Sequence, residues 1–313
     1  MPGTLLTLSL FIVVGIGWRF VQPGGLSNGA LQRALTALIH FVFLPLAVFF
    51  AMADLPLNEA ALRILFYVLG TTAVALALAW FWLWKANLPG KTKGALLAAA
   101  AFGSVFFLGM PMNVLFYPDW TMRVAVEYGL VANVLLMYTA GALLSRSFAD
   151  GGKVQFKKAV AVLKDYGQWV KDPLVWAAVL GLVLNLVGVG LPNWLATVAS
   201  SVDGALLALL LISVGSYLVW MKAWNPQAVR ALPAAAIQLI AVPLVMWGIA
   251  SLFGSAGVKT TQTLLLDSTL PATVLGFAYC ERFKLDTASY TMAFTLIAVL
   301  SVITVPIWAV VLH

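Results

Sequence analysis

The stretch from Leu264 to Tyr279 reads Leu-Leu-Leu-Asp-Ser-Thr-Leu-Pro-Ala-Thr-Val-Leu-Gly-Phe-Ala-Tyr, an apolar segment with a proline at its centre. That proline, Pro271, removes one backbone donor and clashes with the carbonyl group four residues earlier, so a helix built from this stretch must bend or break. A second apolar segment, Gly94 to Phe116, is interrupted in the same way by Pro111, 160 residues earlier in a chain of 313. Two interrupted hydrophobic segments at matching places in two halves indicate the binding site of a membrane carrier.

The composition places the chain in a lipid bilayer. Hydrophobic residues make up 63% of the sequence and charged residues 9%, against roughly a quarter charged in a soluble domain. The apolar runs are about 17 to 25 residues long, which is the length that spans hydrocarbon as helix, and they do not alternate in polarity as barrel strands do. The fold is therefore predicted to be all-α, and Cys280, the single cysteine, excludes an internal disulfide or a cysteine-ligated metal centre.

Ten transmembrane helices are predicted from these runs, and the basic residues set their orientation. Of the 18 basic residues, 15 fall in odd-numbered connections, and only Arg63, Arg123 and Lys259 fall in even-numbered ones. Since basic residues are retained on the cytoplasmic side, both termini are expected on the outer side of a bacterial plasma membrane. The charge of +7 thus reflects orientation in the lipid bilayer, and no nucleic-acid partner is expected. The spans lie at residues 4–20, 31–52, 60–83, 94–116, 124–144, 173–190, 195–219, 229–253, 261–280 and 289–312.

The longest connection, Ser145 to Asp172, separates two sets of five spans. Residues 155–164 within it form a basic amphipathic pattern that is typical of a helix on the inner leaflet. The predicted organisation is a first five-helix repeat at 1–148, a cytoplasmic amphipathic linker at 149–170 and a second five-helix repeat at 171–313. Because five is odd, the second set enters the membrane from the opposite side, which makes the halves an inverted repeat.

An interrupted helix inside a membrane exposes backbone groups that must find partners, so it survives only inside protein or beside a water-filled cavity. Each break creates a half-helix, expected to begin near Met112 and near Ala272, whose free amides and positive dipole end attract an anion. If the two broken helices cross, both ends converge at mid-membrane and an anion is expected there. The alternative is that Pro111 and Pro271 are simple kinks, which are common in membrane helices.

Several motifs resemble the auxin efflux carrier family, which includes the plant PIN carriers and bacterial malonate or malate permeases. The run Leu270 to Asp286 looks like the ninth span of that family, and Phe107-Leu-Gly-Met-Pro111 is similar to its fourth-span pattern Asn-x-x-Phe-x-Gly-x-Pro. Segments 15–19, 25–27 and 43–45 resemble its first two spans, so the similarity extends over nearly the whole chain. Two positions depart from the pattern, because Ser104 replaces the usual asparagine and Ala208 replaces the usual seventh-span proline.

The resemblance implies a ten-helix carrier in which broken helices 4 and 9 cross. A scaffold built largely from the first, second, sixth and seventh spans would support a moving part that contains the crossing. Substrates in the family are small carboxylates, moved as efflux or exchange. A homodimer through the scaffold helices is left open.

The candidate site residues lie around the two prolines. Asp267, one helical turn before Pro271, is a candidate for coupling or gating because a carboxylate in apolar surroundings favours its neutral form; the structural alternative is a cap for amides freed near the break. His40, in the second span, is the other coupling candidate, because histidine side chains can titrate near neutrality. The structural alternative, and the commoner case, is a buried histidine bonded to a backbone carbonyl. No cofactor or metal is expected beyond a coupling proton or sodium ion. The substrate-binding residues expected at the crossing are Ser104, Gly109, Met110, Pro111, Asn113, Ser268, Thr269, Pro271 and Thr273.

Two further functions remain open, whereas no enzymatic motif is found. The sequence has no paired-aspartate motif for prenyl transfer, no His-Glu-x-x-His helix and no glycine-rich phosphate loop. A sodium-coupled symporter of the related bile-acid type would surround sodium with asparagine, glutamine, glutamate and serine oxygens, in which the fourth and ninth spans are poor. A non-transporting membrane sensor would bind a ligand at the crossing without flux.

Overall fold

The computed structural model describes residues 2–55, 58–109, 113, 122–149, 173–217, 226–254 and 257–311, and within these ranges the regular structure is helical, with no strand longer than one residue pair.

Side-chain oxygens cap the N-termini of two of the helices. The Oγ of Ser27 accepts a hydrogen bond from the Ala30 amide at 3.3 Å, and the Oδ1 of Asn58 accepts one from the Ala61 amide at 3.2 Å. These are N-caps, which satisfy amides that have no partner inside the helix. The helices are α1 (Pro2–Val21), α2 (Asn28–Leu38 continuing through Ile39–Phe43 and Leu44–Ala53), α3 (Glu59–Lys85), α4 (Gly90–Ala101), α5 (Met122–Gly129 continuing through Leu130–Gly141 and Ala142–Ala149), α6 (Pro173–Val187), α7 (Asn193–Tyr217), α8 (Pro226–Ala236 continuing through Ile237–Ala241 and Val242–Phe253), α9 (Val258–Ser268), α10 (Leu275–Arg282) and α11 (Thr287–Val311).

Six of the described helices are long and apolar enough to cross a membrane, and two more, Ser9–Val21 and Pro173–Val187, are apolar but shorter. The predicted fourth and ninth spans are missing from the six because each is interrupted: α4 has 12 residues, α9 has 11 and α10 has 8. The predicted all-helical fold is thus confirmed for the described residues, whereas the count of ten spans and their inverted orientation stay predictions. The six are Asn28–Ala53, Glu59–Lys85, Val124–Phe148, Trp194–Ser216, Val229–Phe253 and Thr287–Trp308.

Prolines widen two of the long helices locally. In both α2 and α8 a π-helical turn, Ile39–Phe43 or Ile237–Ala241, ends just before a Leu-Pro or Val-Pro pair. Pro243 cannot donate to the carbonyl group of Leu239, four residues earlier, and the indole Nε1 of Trp308 donates to that oxygen instead, at 2.9 Å. α11 therefore supplies a donor to the carbonyl group that the proline leaves without its usual partner.

The chain divides into two units, and the first consists mainly of α1, α2, α6 and α7. These correspond to the spans that the family resemblance assigns to a scaffold. Within this unit α1 and α7 meet at two glycines: a Cβ atom at Gly15 would collide with the carbonyl oxygen of Ile212, and a Cβ atom at Gly215 with that of Ile12. Small residues permit this close approach of two membrane helices.

The contact between α6 and α2 has a similar form. A Cβ atom at Gly181 would collide with the carbonyl oxygen of Phe49, so the two backbones touch there. Four residues further along α6, the Nδ2 of Asn185 donates to the carbonyl oxygens of Met52 and Leu55, at 3.0 and 2.7 Å. The end of α2 is therefore held by an amide side chain of α6.

The second unit contains α3, α4, most of α5, and α8 to α11. Its interior is filled by large side chains with almost no exposed surface, many of them aromatic. The two interrupted segments pass through this interior, so their polar groups must be satisfied by protein or by a bound ligand. The largest fully buried side chains of the unit are Tyr67, Leu83, Leu97, Phe102, Phe106, Phe107, Tyr279, Tyr290 and Phe294.

Large apolar side chains also cover the outer faces of the helices. Leu62 in α3, Leu252 in α8 and Val302 in α11 are 68%, 81% and 72% exposed. Water would oppose such contiguous apolar surface, whereas hydrocarbon is as apolar as leucine. These faces are expected to contact lipid.

Candidate functional site

The two interrupted segments meet through their backbones. The first break, defined here as residues 102–104, follows α4, and the second break, residues 269–274, joins α9 to α10. Gly103 and Ala272 form an antiparallel bridge. The Ser104 amide donates to the carbonyl oxygen of Pro271 at 2.7 Å, and the Thr273 amide donates to that of Phe102 at 3.0 Å. Two breaks that pair with each other are not simple proline kinks.

The first break that the structure describes lies earlier than the sequence suggested. The prediction centred it on Gly109-Met110-Pro111, but α4 already ends at Ala101, and Val105–Gly109 forms a π-helical turn beyond the break. Pro271 faces Ser104, not another proline. The physical reason is that backbone pairing with the second break ends α4, so no proline is needed there. Met110, Pro111 and Met112 lie outside the described residues.

Carbonyl groups released by the breaks are satisfied by side chains of neighbouring helices. The Nδ2 of Asn133 in α5 donates to the Gly103 oxygen at 2.9 Å, and the Nε2 of Gln238 in α8 donates to the Leu270 oxygen at 2.9 Å. The amide side chains are 0% and 1% exposed. Both lie in π-helical turns, Leu130–Gly141 and Ile237–Ala241, a local geometry that occurs often at functional sites.

A tyrosine supports the second break from the other side. The hydroxyl group of Tyr290 in α11 donates to the carbonyl oxygen of Thr273, and its ring packs so closely on Gly276 that a Cβ atom there would overlap it. The sequence alone assigned no role to Asn133, Gln238 or Tyr290. A single amide side chain in an otherwise apolar span could have indicated Asn133 and Gln238, because such groups rarely stay without a hydrogen-bond partner in a membrane.

The backbone amides that begin α10 already have acceptors. The Leu275 amide donates to the Oγ1 of Thr273 at 3.3 Å, and the Gly276 and Phe277 amides donate at 3.1 Å to the carbonyl oxygens of Thr273 and Val274. This half-helix begins at Leu275 and not near Ala272 as predicted. Local bonds therefore use three of the amides that were expected to be free for an anion.

The hydroxyl groups predicted to contact substrate also make local bonds. The Oγ of Ser268 donates to the Leu265 oxygen at 2.6 Å, and the Oγ1 of Thr269 donates to the Leu266 oxygen at 2.7 Å. These bonds close the last turn of α9. Both side chains are buried beside the break, and their contact with substrate stays a prediction.

Asp267 lies in the last turn of α9 with its side chain fully buried. A Cβ atom at Gly109 would come within 2.7 Å of its Oδ1 and 2.9 Å of the Leu270 side chain. The carboxyl group therefore occupies the space that the missing side chain of Gly109 leaves. A carboxyl group at the junction of two broken helices, shielded from water, is a strong candidate for a charge-carrying role.

Comparison with known proteins identifies the family of the chain. A family model described as membrane transport protein matches residues 4–309. The chain belongs to this family. It is the family of the auxin efflux carriers, so the resemblance drawn from the sequence is confirmed. This transporter is also similar to an uncharacterized transporter of Methanothermobacter thermautotrophicus, with 26% identity over 317 residues that cover 100% of this chain and 99% of the relative.

The transporter does not gather every predicted site residue in one unit. His40 lies in the π-helical turn of α2, in the first unit, partly exposed and with its ring edge-on to that of Phe41 at 5.0 Å. Asp267 and both breaks belong to the second unit. Asn113 is fully buried, and its chain neighbours lie outside the described residues.

Hydrogen bonds also tie down the far ends of the interrupted helices. The Tyr279 hydroxyl in α10 donates to the Oγ of Ser145, which donates to the Gly94 oxygen in α4, at 2.9 and 3.3 Å. Asp286, just before α11, accepts a hydrogen bond from the Oγ1 of Thr92 at 2.8 Å. The described residues contain no group of three histidine, cysteine, aspartate or glutamate side chains that could hold a metal ion. Hydrogen bonds thus hold α4 and α10 at their far ends as well as at the crossing.

Proposed function

We propose that the protein is a secondary carrier that moves a small organic anion, a carboxylate, across the plasma membrane by efflux or exchange. The observation that carries the proposal is the backbone pairing of residues 102–104 with residues 271–273 inside a buried interior. Membership in a membrane transport family supports it. Substrate would bind beside these breaks, and alternating access would come from movement of the second unit.

Asp267 is the residue for which we propose a coupling or gating role. Its side chain is buried at the end of α9, beside Gly109 and one turn before Pro271. A carboxyl group in this position repels an anionic substrate unless it takes up a proton or a cation first. Transport of the anion would then depend on the charge state of Asp267.

The test is transport by the purified protein in liposomes, with a panel of radiolabelled monocarboxylates and dicarboxylates. Wild type should move at least one of them, and Asp267→Asn should lower that rate at least about tenfold, the effect of losing roughly 1.4 kcal/mol of stabilisation. Asp203→Asn is a matched control, because it removes a carboxylate from a spanning helix of the first unit. Its rate should stay near wild type.

Folding must be shown separately, since a lost carboxylate can destabilise the protein. Equal thermal unfolding midpoints for wild type and Asp267→Asn, together with reduced flux, would support the proposal. Unchanged flux in Asp267→Asn across the acid to neutral range would remove this residue from the mechanism. Saturable binding of a carboxylate with no flux under any gradient would favour the sensor function instead.

A further inference from the structure

Three buried side-chain oxygens around Gly103 accept and donate no hydrogen bond. They are the Oγ of Ser104, the Oδ1 of Asn133 and the Oε1 of Gln238, and the three side chains are 0%, 0% and 1% exposed. Leaving a polar atom in this state costs about 1–3 kcal/mol each. Three such atoms in one place indicate an occupant that the protein itself does not supply.

The contacts of these residues place all three oxygens near Gly103. Ser104 is the next residue in the chain, and the Nδ2 of Asn133 is bonded to the Gly103 carbonyl oxygen. The Nε2 of Gln238 lies 3.0 Å from the point where a Cβ atom of Gly103 would be. Each amide oxygen is bonded to the same carbon as its nitrogen, so both oxygens belong to side chains that contact this glycine.

The hydrogen bonds that Asn133 and Gln238 make identify the nitrogen end and the oxygen end of each side-chain amide. Asn133 and Gln238 must present their NH₂ groups to the carbonyl oxygens of Gly103 and Leu270, because a carbonyl oxygen can only accept. The opposite end of each amide is therefore an acceptor. The amides of Ser104 and Thr273 are bonded across the breaks, so these two backbone donors are already used.

A site rich in acceptors favours a positive ligand over a negative one. Hard cations take oxygen ligands from amides, hydroxyl groups and carboxylates. Asp267 adds a carboxyl group next to Leu270, whose carbonyl oxygen Gln238 binds. A divalent ion generally needs several carboxylates, and no cluster of three acidic or other metal-binding side chains exists among the described residues. One carboxyl group with neutral oxygens suits a monovalent ion.

We propose that Ser104, Asn133 and Gln238 bind a small monovalent cation beside Gly103, with the carboxyl group of Asp267 balancing its charge. This deepens the proposed function and rests on it only in assigning the ion a coupling role. The neutral oxygens come from the first break and from α5 and α8, so a search confined to the fourth and ninth spans does not reveal the set. A bound cation would also offset the repulsion between Asp267 and an anionic substrate.

The test measures cation binding without any substrate. Purified protein in detergent is heated in lithium, sodium, potassium or choline chloride at equal ionic strength. The unfolding midpoint should rise saturably with one alkali ion relative to choline, because a ligand that binds the folded state stabilises it. Ser104→Ala should raise the half-saturating concentration at least about tenfold, corresponding to roughly 1.4 kcal/mol.

A second serine provides the matched control. The Oγ of Ser213 in α7 is also buried at 0% exposure and has no hydrogen-bond partner, but it lies in the first unit. Ser213→Ala should leave the half-saturating concentration unchanged. Should Ser104→Ala express poorly, Ser104→Cys keeps a similar volume and replaces a hard oxygen by sulfur, which binds alkali ions weakly.

Each outcome bears on the proposal. Equal midpoints in all four salts would overturn it, because water would then satisfy the three oxygens. If Ser104→Ala and Ser213→Ala changed the half-saturating cation concentration equally, the proposal would also be overturned, because the cation would then act elsewhere. A cation shift that Ser104→Ala weakens, in a protein that moves no carboxylate, would keep the site and reject the proposed function. Carboxylate flux, in a protein whose unfolding midpoint does not change with the cation, would keep the proposed function and reject the cation site.

Discussion

At the scale of single residues, Asp286 shows how one side chain joins two helices. Its Oδ1 accepts a hydrogen bond from the Ser289 amide at 3.1 Å, and its Oδ2 accepts bonds from the hydroxyl groups of Ser289 and Thr92 at 2.6 and 2.8 Å. Burial alone would raise the pKa of Asp286, but these hydrogen bonds outweigh burial and lower the pKa below its ordinary value. The residue lies just outside the spanning part of α11.

We expect Asp286→Ala to lower the free energy of unfolding by about 0.5–2 kcal/mol at neutral pH, the cost of losing an N-cap. Since the folded pKa lies below the unfolded one, the stabilisation is complete above the ordinary pKa of aspartate. It is lost as the pH falls through the lowered folded pKa. Unfolding in detergent, followed over a series of pH values, should show wild type and variant converge in acid.

The control for this prediction is Asp286→Asn. It keeps one oxygen that can accept from the Ser289 amide and removes the titration. It should be more stable than Asp286→Ala at neutral pH and should show a smaller decrease in acid than wild type. If the free energy of unfolding of Asp286→Ala were lower than that of wild type by the same amount at every pH, the stabilisation would not depend on the charge of Asp286.

At the scale of helices, the proline turn of α8 makes a prediction about α11. The indole of Trp308 replaces the donor that Pro243 lacks, by bonding to the Leu239 oxygen. Trp308→Phe should therefore cost about 1–3 kcal/mol by leaving a buried carbonyl group unsatisfied. Denaturant or thermal unfolding of the purified variant measures this cost.

A double-mutant cycle separates the hydrogen bond from the lost volume of the indole. Pro243→Ala restores a backbone N–H four residues after Leu239, so Trp308→Phe should cost less in that background. Equal costs of Trp308→Phe in both backgrounds would show that packing alone explains the effect. The proline and the tryptophan would then act independently.

The helices also show what the sequence could predict and what it could not. The position of the second break followed from Pro271, because a missing donor is a local property. The first break could not be placed, since α4 ends at Ala101 through pairing of Ser104 with Pro271, far away in sequence. Sequence reasoning identified the polar residues near Pro271 for the same local reason. It missed Gln238, whose partner belongs to another helix.

At the scale of the whole molecule, the distribution of basic residues predicts that both termini face outward. We expect Gly190→Cys, in the connection after α6, to react with a membrane-impermeant maleimide on intact cells. Asn87→Cys, after α3, should react only after permeabilisation, because its connection is predicted to be cytoplasmic. Both positions are exposed.

The native thiol gives this experiment a low background. Cys280 is buried, so wild type should label weakly in either condition and serves as the control. Labelling of Asn87→Cys on intact cells, without labelling of Gly190→Cys, would reverse the predicted orientation. Labelling of both would show that a span has been missed or added between them.

The pairing of Ser104 with Pro271 and of Thr273 with Phe102 uses main-chain atoms only. Mutation of a side chain at 104 or 273 leaves these two bonds chemically possible, so the pairing of the breaks does not depend on which side chain stands there. Related transporters could then differ in substrate without a change in the pairing of the two breaks. Ser104, which departs from the asparagine of the family pattern, leaves both of these main-chain bonds in place.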